Sequence, residues 1–240
     1  MTTNIYDRNV PKLVSDSRWS IEGDTYITYI DDYGCDKILC TESTAFMFAG
    51  SGLLIQAWKD WLQEKGKTED RPPITEGELV IAICAVNMVT GVVEIECRQA
   101  HTLPDARFTG TGWRSAHACW EINKDPCKAV ESAIASDTFS GGTVKFVNLS
   151  NGENNIQNTA TMTDTLKAMA STGWTMFKHN LSQPIPIKDA AKQDPAVQEL
   201  VHDLAAGNAR VCAPYPGMDI PWTQAEEDAL DANLRRILGR

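Results

Sequence analysis

FTGTGWRSAHACWEINKDPCKAVESAIASDTFSGGTVKFVNL, residues 108–149, is the stretch whose reading decides the fold. Glycines on both sides of Thr111 mark a tight turn at the end of a short strand, ARFTGTG. WRSAHACWEI then reads as a helix. PCKAVESAIASD reads as a second helix, with Pro126 in its first turn, where a missing N–H breaks no helical bond. GGTVKFVNL closes as a strand. Strand, two consecutive helices and strand do not form an alternating βαβ wind. The order predicts an α+β fold in which strands cluster and helices pack on them in layers.

Upstream, residues 3–7 and 12–18 read as two short strands around a turn at Asn9-Val10-Pro11. TYITYIDDYGCDKILC, residues 25–40, alternates on both sides of Asp32-Tyr33-Gly34 and predicts a hairpin. TAFMFAG is a short apolar strand ending at Gly50. SGLLIQAWKDWLQEKG places Leu54, Trp58, Trp61 and Leu62 on one helical face, which reads as core. ELVIAICAVN and GVVEIEC are two strands, the first apolar enough to sit centrally in its sheet.

Residues 151–240 read differently. TMTDTLKAMASTGWTMFKHNL, residues 161–181, predicts one amphipathic helix with Gly173 as a weak point. QPIPI is extended. DPAVQELVHDLAAG is a helix with Pro195 at its start and Gly207 as its C-cap. PYPGMDIPW is a rigid loop, and TQAEEDALDANLRRILG a final helix with a capping box of Thr223 and Glu226. The expected organisation is therefore a layered domain over 1–150 and a helical C-terminal extension over 151–240, packed on it.

Composition narrows the function. The 240 residues are 42% hydrophobic, enough for a proper core, and carry a formal net charge of -10. No basic run recommends nucleic acid as a partner. No apolar stretch approaches the roughly 20 residues of a membrane span, so no membrane association is expected. The seven cysteines contain no Cys-x-x-Cys pair and read as reduced core residues of a cytoplasmic protein. The four histidines have no metal-ligand spacing. Neither a metal nor another cofactor is expected.

The start, MTTNIYD, puts two threonines after the initiator methionine. Trimming Met1 would leave Thr2 with a hydroxyl nucleophile and an α-amine whose pKa of about 7.7–8 suits a general base at neutral pH. SDSRWS follows the second strand with Asp16, CDKILC carries Lys37, and AFMFAGSG ends a strand at Gly50.

With the block at 108–149, this order resembles proteasome β-type subunits, which belong to the N-terminal-nucleophile (Ntn) hydrolases. Such chains begin Thr-Thr and carry Ala-Asp-x-Arg/Gln after the second strand and Lys-Ile in the next hairpin. An Ala-Gly strand-to-helix turn comes next, then Gly-Ser-Gly before a helix, and later Asp-x-x-x-Gly-Gly. The resemblance covers about residues 2–150. It implies a four-layer αββα sandwich of two stacked antiparallel sheets.

The resemblance further implies Thr2 as nucleophile and Asp16 as the group that orients Lys37. Lys37 would ease deprotonation of the threonine, and the Gly50 N–H would be an oxyanion donor. Thr111 and Asp137 would position the terminal amine. Peptides would be the substrates, subunits would associate as a homo-oligomer, and an ATPase or other protein partner would be conceivable. As a functional constellation, Thr2 and Lys37 should be replaceable with little effect on folding.

The chain departs from the pattern in four places, the first being TYITYIDD, which lengthens the hairpin before Lys37. AGSGLLIQ lacks the usual acidic residue after Gly50, the Thr2-to-Asp16 spacing is shorter than usual, and the extension beyond 150 has no counterpart. Taken singly, Asp16 also reads as a turn acceptor, Lys37 as a hairpin surface charge, Thr111 as a tight turn and Asp137 as a helix end. Two functions of different class stay open: a threonine peptidase active after Met1 removal, and a catalytically silent subunit of the same fold that binds or assembles. An amidase of small amides would share the chemistry of the first and differ only in its pocket.

Overall fold

The computed structural model describes residues 2–66, 68–77 and 79–239, with Thr68 and Glu76 described for their backbone only. Met1 lies outside the described residues. The chain begins with β1 (Thr3–Asp7), β2 (Lys12–Ser15), β3 (Trp19–Glu22), β4 (Tyr26–Ile30), β5 (Ile38–Cys40) and β6 (Thr44–Ser51). Helix α1 (Gly52–Gln63) leads to β7 (Thr75–Glu76), β8 (Leu79–Val80), β9 (Ala82–Asn87), β10 (Val93–Cys97), β11 (His101–Thr102) and β12 (Ala106–Gly110). Then come α2 (Trp113–Asn123), α3 (Pro126–Ser136) and β13 (Lys145–Asn148). The remainder forms α4 (Met162–Thr172), β14 (Trp174–Phe177), β15 (Asn180–Pro186), α5 (Ile187–Ala190), α6 (Pro195–Ala206), β16 (Cys212–Ala213) and α7 (Gln224–Leu238).

The decisive stretch begins and ends in one five-stranded sheet, of order β11-β12-β1-β2-β13. At the β1–β2 turn the Asp7 carboxylate accepts from the Asn9 and Val10 N–H groups at 2.9 and 3.3 Å, a local bond that tightens the chain reversal. Between β12 and β13 the chain makes α2 and α3. Lys124 ends α2 in the left-handed region at φ 48°, and Asp125 caps α3 through the N–H groups of Cys127 and Lys128. Ala116 and Trp120 of α2 and Ala129, Val130 and Ala133 of α3 bury against Ile5, Val14 and Phe108 of the sheet. The indole of Trp120 donates to Asp7 at 2.6 Å, so this face is pinned by a polar bond as well as by apolar area.

The second sheet has the order β10-β9-β6-β16-β3-β4-β14-β15, with β5 also paired to β6. Among the described residues its strand pairings are antiparallel. Tyr6, Leu13 and Val147 of the first sheet share one buried cluster with Ile38, Met47, Cys84 and Val86 of the second. Strand alternation gives the second sheet another apolar set, including Phe46, Phe48 and Ile83. These join Trp58 of α1, Leu166 of α4, Leu204 of α6 and Leu230 of α7. Among the described residues the fold is thus α+β, with two main antiparallel sheets and seven α-helices.

Three expectations are corrected. Residues 25–40 do not form a hairpin: β4 pairs with β3 on one edge and β14 on the other, which leaves no edge for β5. The loop between them is tied elsewhere. Asp32, at φ 56°, accepts from Ser17 and Thr143, and the Gly34 carbonyl accepts from Thr159 and Ala160.

The helix expected over 161–181 starts at its Thr161–Asp164 capping box but stops at Thr172. Gly173 turns the backbone extended, and a Cβ there would meet the Met169 carbonyl at 2.5 Å. The Trp-Thr-Met-Phe run that follows suits a pleated strand and pairs with β4. Residues 151–240 are accordingly not purely helical: β14, β15 and β16 all join the second sheet.

Candidate functional site

Two glycines bring the start of β1 and the end of β12 together. A Cβ on Gly110, at φ 94°, would lie 1.7 Å from the Thr2 carbonyl. A Cβ on Gly112 would lie 2.1 Å from the Thr3 hydroxyl. The Gly-Thr-Gly pattern is therefore a requirement for close approach as well as for a turn.

Asp16 follows β2 and is fixed by its own N–H, which donates to the Thr3 carbonyl at 3.1 Å. Its Oδ1 accepts from the Thr2 hydroxyl at 2.5 Å, the Thr3 N–H at 2.8 Å and Lys37 Nζ at 2.8 Å. Its Oδ2 accepts from the N–H groups of Arg18 at 3.2 Å and Gly141 at 3.1 Å. Lys37 Nζ also donates to the Asp16 carbonyl at 3.1 Å and lies 5.5 Å from the centre of the Trp19 ring. Its backbone carbonyl accepts from Phe48, which docks the segment before β5 onto β6. Thr2 and Asp16 are 0% exposed and Lys37 1%. Burial pushes the Lys37 ammonium below its ordinary range, while the Asp16 carboxylate beside it pulls the other way.

A second hydrogen-bonded group abuts the first. The Thr111 hydroxyl donates to Asp137 Oδ2 at 3.0 Å, and the Ser140 hydroxyl donates to the same oxygen at 2.8 Å. Ser140 Oγ also lies 2.8 Å from the Thr3 hydroxyl. Asp137 thus reaches the N-terminal strand through Ser140 and Thr3. The link to Thr2 runs along the backbone and through Asp16, which binds both threonines. Beside this group opens a cleft of about 220 Å³ lined by Arg18, Asp137, Ser140, Gly141, Met176 and Leu181. Arg18 is held by paired 2.8 Å bonds to Asp31 and by the Thr138 carbonyl at 2.7 Å.

Gly50, near the end of β6, adopts φ 116° and packs so tightly that a Cβ would meet the Val80 carbonyl at 2.4 Å. Its neighbour across the ladder is Ala213 of β16, while Ser51 faces Cys212. Gly52 N–H donates to the Val211 carbonyl at 2.8 Å. Antiparallel ladders alternate every two residues, so the Gly50 N–H is the next to point at this segment and meets the Ala213 carbonyl. One residue on, the Pro214 carbonyl accepts from the Thr2 nitrogen at 3.2 Å.

The site residues named from sequence thus fall into two adjoining networks and one backbone donor. Ser140, Thr3 and the segment 211–214 escaped the sequence reading. Ser140 stands inside DTFSGG, where the resemblance reads only Asp137 and the glycines. Among the described residues no group of three His, Cys, Asp or Glu could hold a metal ion, and no helix is long and apolar enough to cross a membrane.

No family model matches the sequence, and no curated protein matches it. Among solved structures, eukaryotic HslV from Trypanosoma brucei aligns over 60% of this chain and 97% of its own, at 15% identity and a TM-score of 0.40. The BPH protein of Thiobacillus denitrificans, solved in complex with epoxomicin, aligns over 61% of this chain and 96% of its own, at 12% identity and a TM-score of 0.43.

Proposed function

We propose that this chain is an N-terminal threonine hydrolase of the proteasome β type, with a four-layer αββα arrangement, that cleaves peptide bonds through an acyl-enzyme on Thr2 after Met1 removal. The observation that carries the reading is the single oxygen Asp16 Oδ1, which binds the Thr2 hydroxyl and the Lys37 ammonium together in a fully buried site. A surface charge or a turn acceptor needs no such convergence.

Removal of Met1 turns the Thr2 nitrogen from an amide into an amine with a usable lone pair. The Thr2 oxygen attacks the substrate carbonyl carbon and its proton passes to that amine. The buried Lys37 cation favours the alkoxide that forms. The Gly50 N–H donates a hydrogen bond to the developing oxyanion, a contribution typically worth about 3–4 kcal/mol. The tetrahedral adduct collapses, the C–N bond breaks, and the leaving amine takes the proton. Water then attacks the ester, releases the acid and restores the Thr2 hydroxyl. Thr111, Asp137 and Ser140 position the first two residues. The chain acts in the cytoplasm and works as a homo-oligomer in this reading.

One observation favours a second reading, a catalytically silent binding or assembly subunit. The segment after Arg210 occupies both the Gly50 N–H and the Thr2 nitrogen. The deciding experiment combines the intact mass of the native protein with labelling by a threonine-directed electrophile. Loss of Met1 together with a covalent adduct on Thr2 supports the hydrolase. A trimmed protein that neither forms an adduct nor hydrolyses a panel of fluorogenic peptides supports the silent subunit.

A further inference from the structure

β3 and β6 belong to one sheet but do not pair with each other; the two-residue strand β16 lies between them. The far edge of β3 pairs with β4, and β6 pairs with β9 along most of its length. The other edge of β6 is covered by β5 up to Met47 and by β16 at Gly50 and Ser51. Lifting β16 out would expose two facing strand edges about two strand spacings apart, roughly 9–10 Å. Such edges receive an extended peptide by strand addition. The gap ends at Thr2.

The chain's own segment meets these edges as a bound peptide would. Val211 and Ala213 face β6, and Cys212 faces Ser20 of β3. The Ala213 carbonyl lies at the Gly50 N–H, and the next carbonyl, of Pro214, lies at the Thr2 nitrogen. The segment thus blocks the oxyanion donor and the mouth of the nucleophile together. Pro214 has no N–H and cannot extend the ladder. The Thr2 hydroxyl donates to Asp16.

We propose that residues 210–214 are an internal pseudosubstrate. They occupy a strand-addition cleft between β3 and β6, and an extended peptide enters only when they peel away. The inference rests on the hydrolase reading for the consequence of opening, but not for the opening itself. The ladder is short enough to release, with two residues in register against β6 and one against β3. The segment is tethered on both sides by packed elements. Gly207 ends α6 before it, and after it the Met218 carbonyl accepts from Val80 while the Trp222 indole donates to the Ile81 carbonyl at 3.2 Å. It can therefore leave the cleft without leaving the molecule.

The native Cys212 supplies the test. Ser51 and Cys212 are the non-hydrogen-bonded pair of the ladder, whose Cα atoms are about 4.5 Å apart in ideal geometry, within the range a disulfide spans. Oxidised Ser51→Cys locks the strand in, and reduction frees it. Cys212→Pro removes the N–H that faces β3 and loosens the strand.

The probe is a fluorescein-labelled peptide carrying the sequence of residues 208–215 with serine in place of its cysteine, followed by anisotropy. Cys212→Pro should bind it at least tenfold more tightly than wild type. Oxidised Ser51→Cys should bind at least tenfold more weakly than its reduced form, with the oxidant leaving wild type unchanged. Equal binding by oxidised and reduced Ser51→Cys overturns the inference, whether or not Cys212→Pro folds. Peptide binding that follows the lock, without turnover in any trimmed form, leaves the pseudosubstrate standing and sinks the hydrolase.

Discussion

Lys37 Nζ lies 2.8 Å from Asp16 Oδ1, and both side chains are fully buried. Taking two charges out of water is costly, and the geometry offsets that cost only while both partners remain. Lys37→Met should therefore destabilise the fold by about 3–5 kcal/mol, and Lys37→Met with Asp16→Asn should recover part of the loss. Urea denaturation of the single and double variants measures this. The result would differ from the expectation that the position tolerates replacement, because that expectation assumed an accessible constellation. The pH dependence has a defined sign. Burial depresses the Lys37 pKa below the ordinary 10.5, so between the folded value and 10.5 the unfolded chain binds more protons. The destabilisation from this group is present below that window and is relieved as pH rises through it.

Thr2→Ala should abolish peptide turnover, whereas Thr2→Ser should retain part of it, because hydroxyl and amine both survive. Adding Lys37→Met to Thr2→Ala should cost nothing further in rate, since residues that act as one unit are strongly non-additive. Fluorogenic peptide assays on protein with verified Met1 removal would show this; equal activity in Thr2→Ala and wild type excludes Thr2 as nucleophile.

Ser140 bridges Asp137 and Thr3 with two 2.8 Å contacts. Ser140→Ala leaves the buried Thr3 hydroxyl and one Asp137 interaction without their partner, at a stability cost of about 1–3 kcal/mol. Turnover should fall by more than stability alone explains, and Ser140→Thr should restore some of it. A variant that melts lower but turns over normally would make Ser140 purely structural.

Gly50→Ala should lower the melting temperature markedly. The residue sits at φ 116°, and its new Cβ would press within 2.4 Å of the Val80 carbonyl, so backbone strain and overlap add. An unchanged thermal melt would mean that β6 relaxes at this point.

Tyr6 donates to the Gly91 carbonyl at 2.5 Å, and burial pushes its phenol up to about 12. The unfolded chain ionises near 10.0, so above that pH it sheds a proton that the folded state keeps. Stability present below pH 10 is therefore lost as pH rises toward about 12. Tyr6→Phe should flatten this alkaline limb of the stability curve and cost about 1 kcal/mol at neutral pH for the lost hydrogen bond.

Local chemistry made much of the fold legible. Pro126 behind the Asp125 cap, the capping boxes at Thr161 and Thr223, Gly207 as C-cap and the apolar runs of β6 and β9 are encoded within a few residues of where they act. Thr2, Asp16, Lys37, Thr111 and Asp137 stood out only through the family resemblance of the short motifs that carry them; taken singly each also reads as a turn, a surface charge or a helix end. Strand partnership is different. A strand reads the same whichever neighbour takes its edge, so residues 25–40 looked like a hairpin until β3 and β14 were seen to hold both edges of β4. Val211-Cys212-Ala213 carries almost no strand signal. It becomes a strand because β3 and β6 present strand edges to it on either side. Ser140 likewise has no motif of its own and acquires its place when Thr3 and Asp137, remote in sequence, close around it. The sequence by itself determined the helix caps, the tight turns and most of the helices and strands, since caps and periodicity are local, while the candidate catalytic groups stood out through a family resemblance. The tertiary structure alone decided what lies in the cleft, because a backbone hydrogen bond does not depend on which residue supplies it.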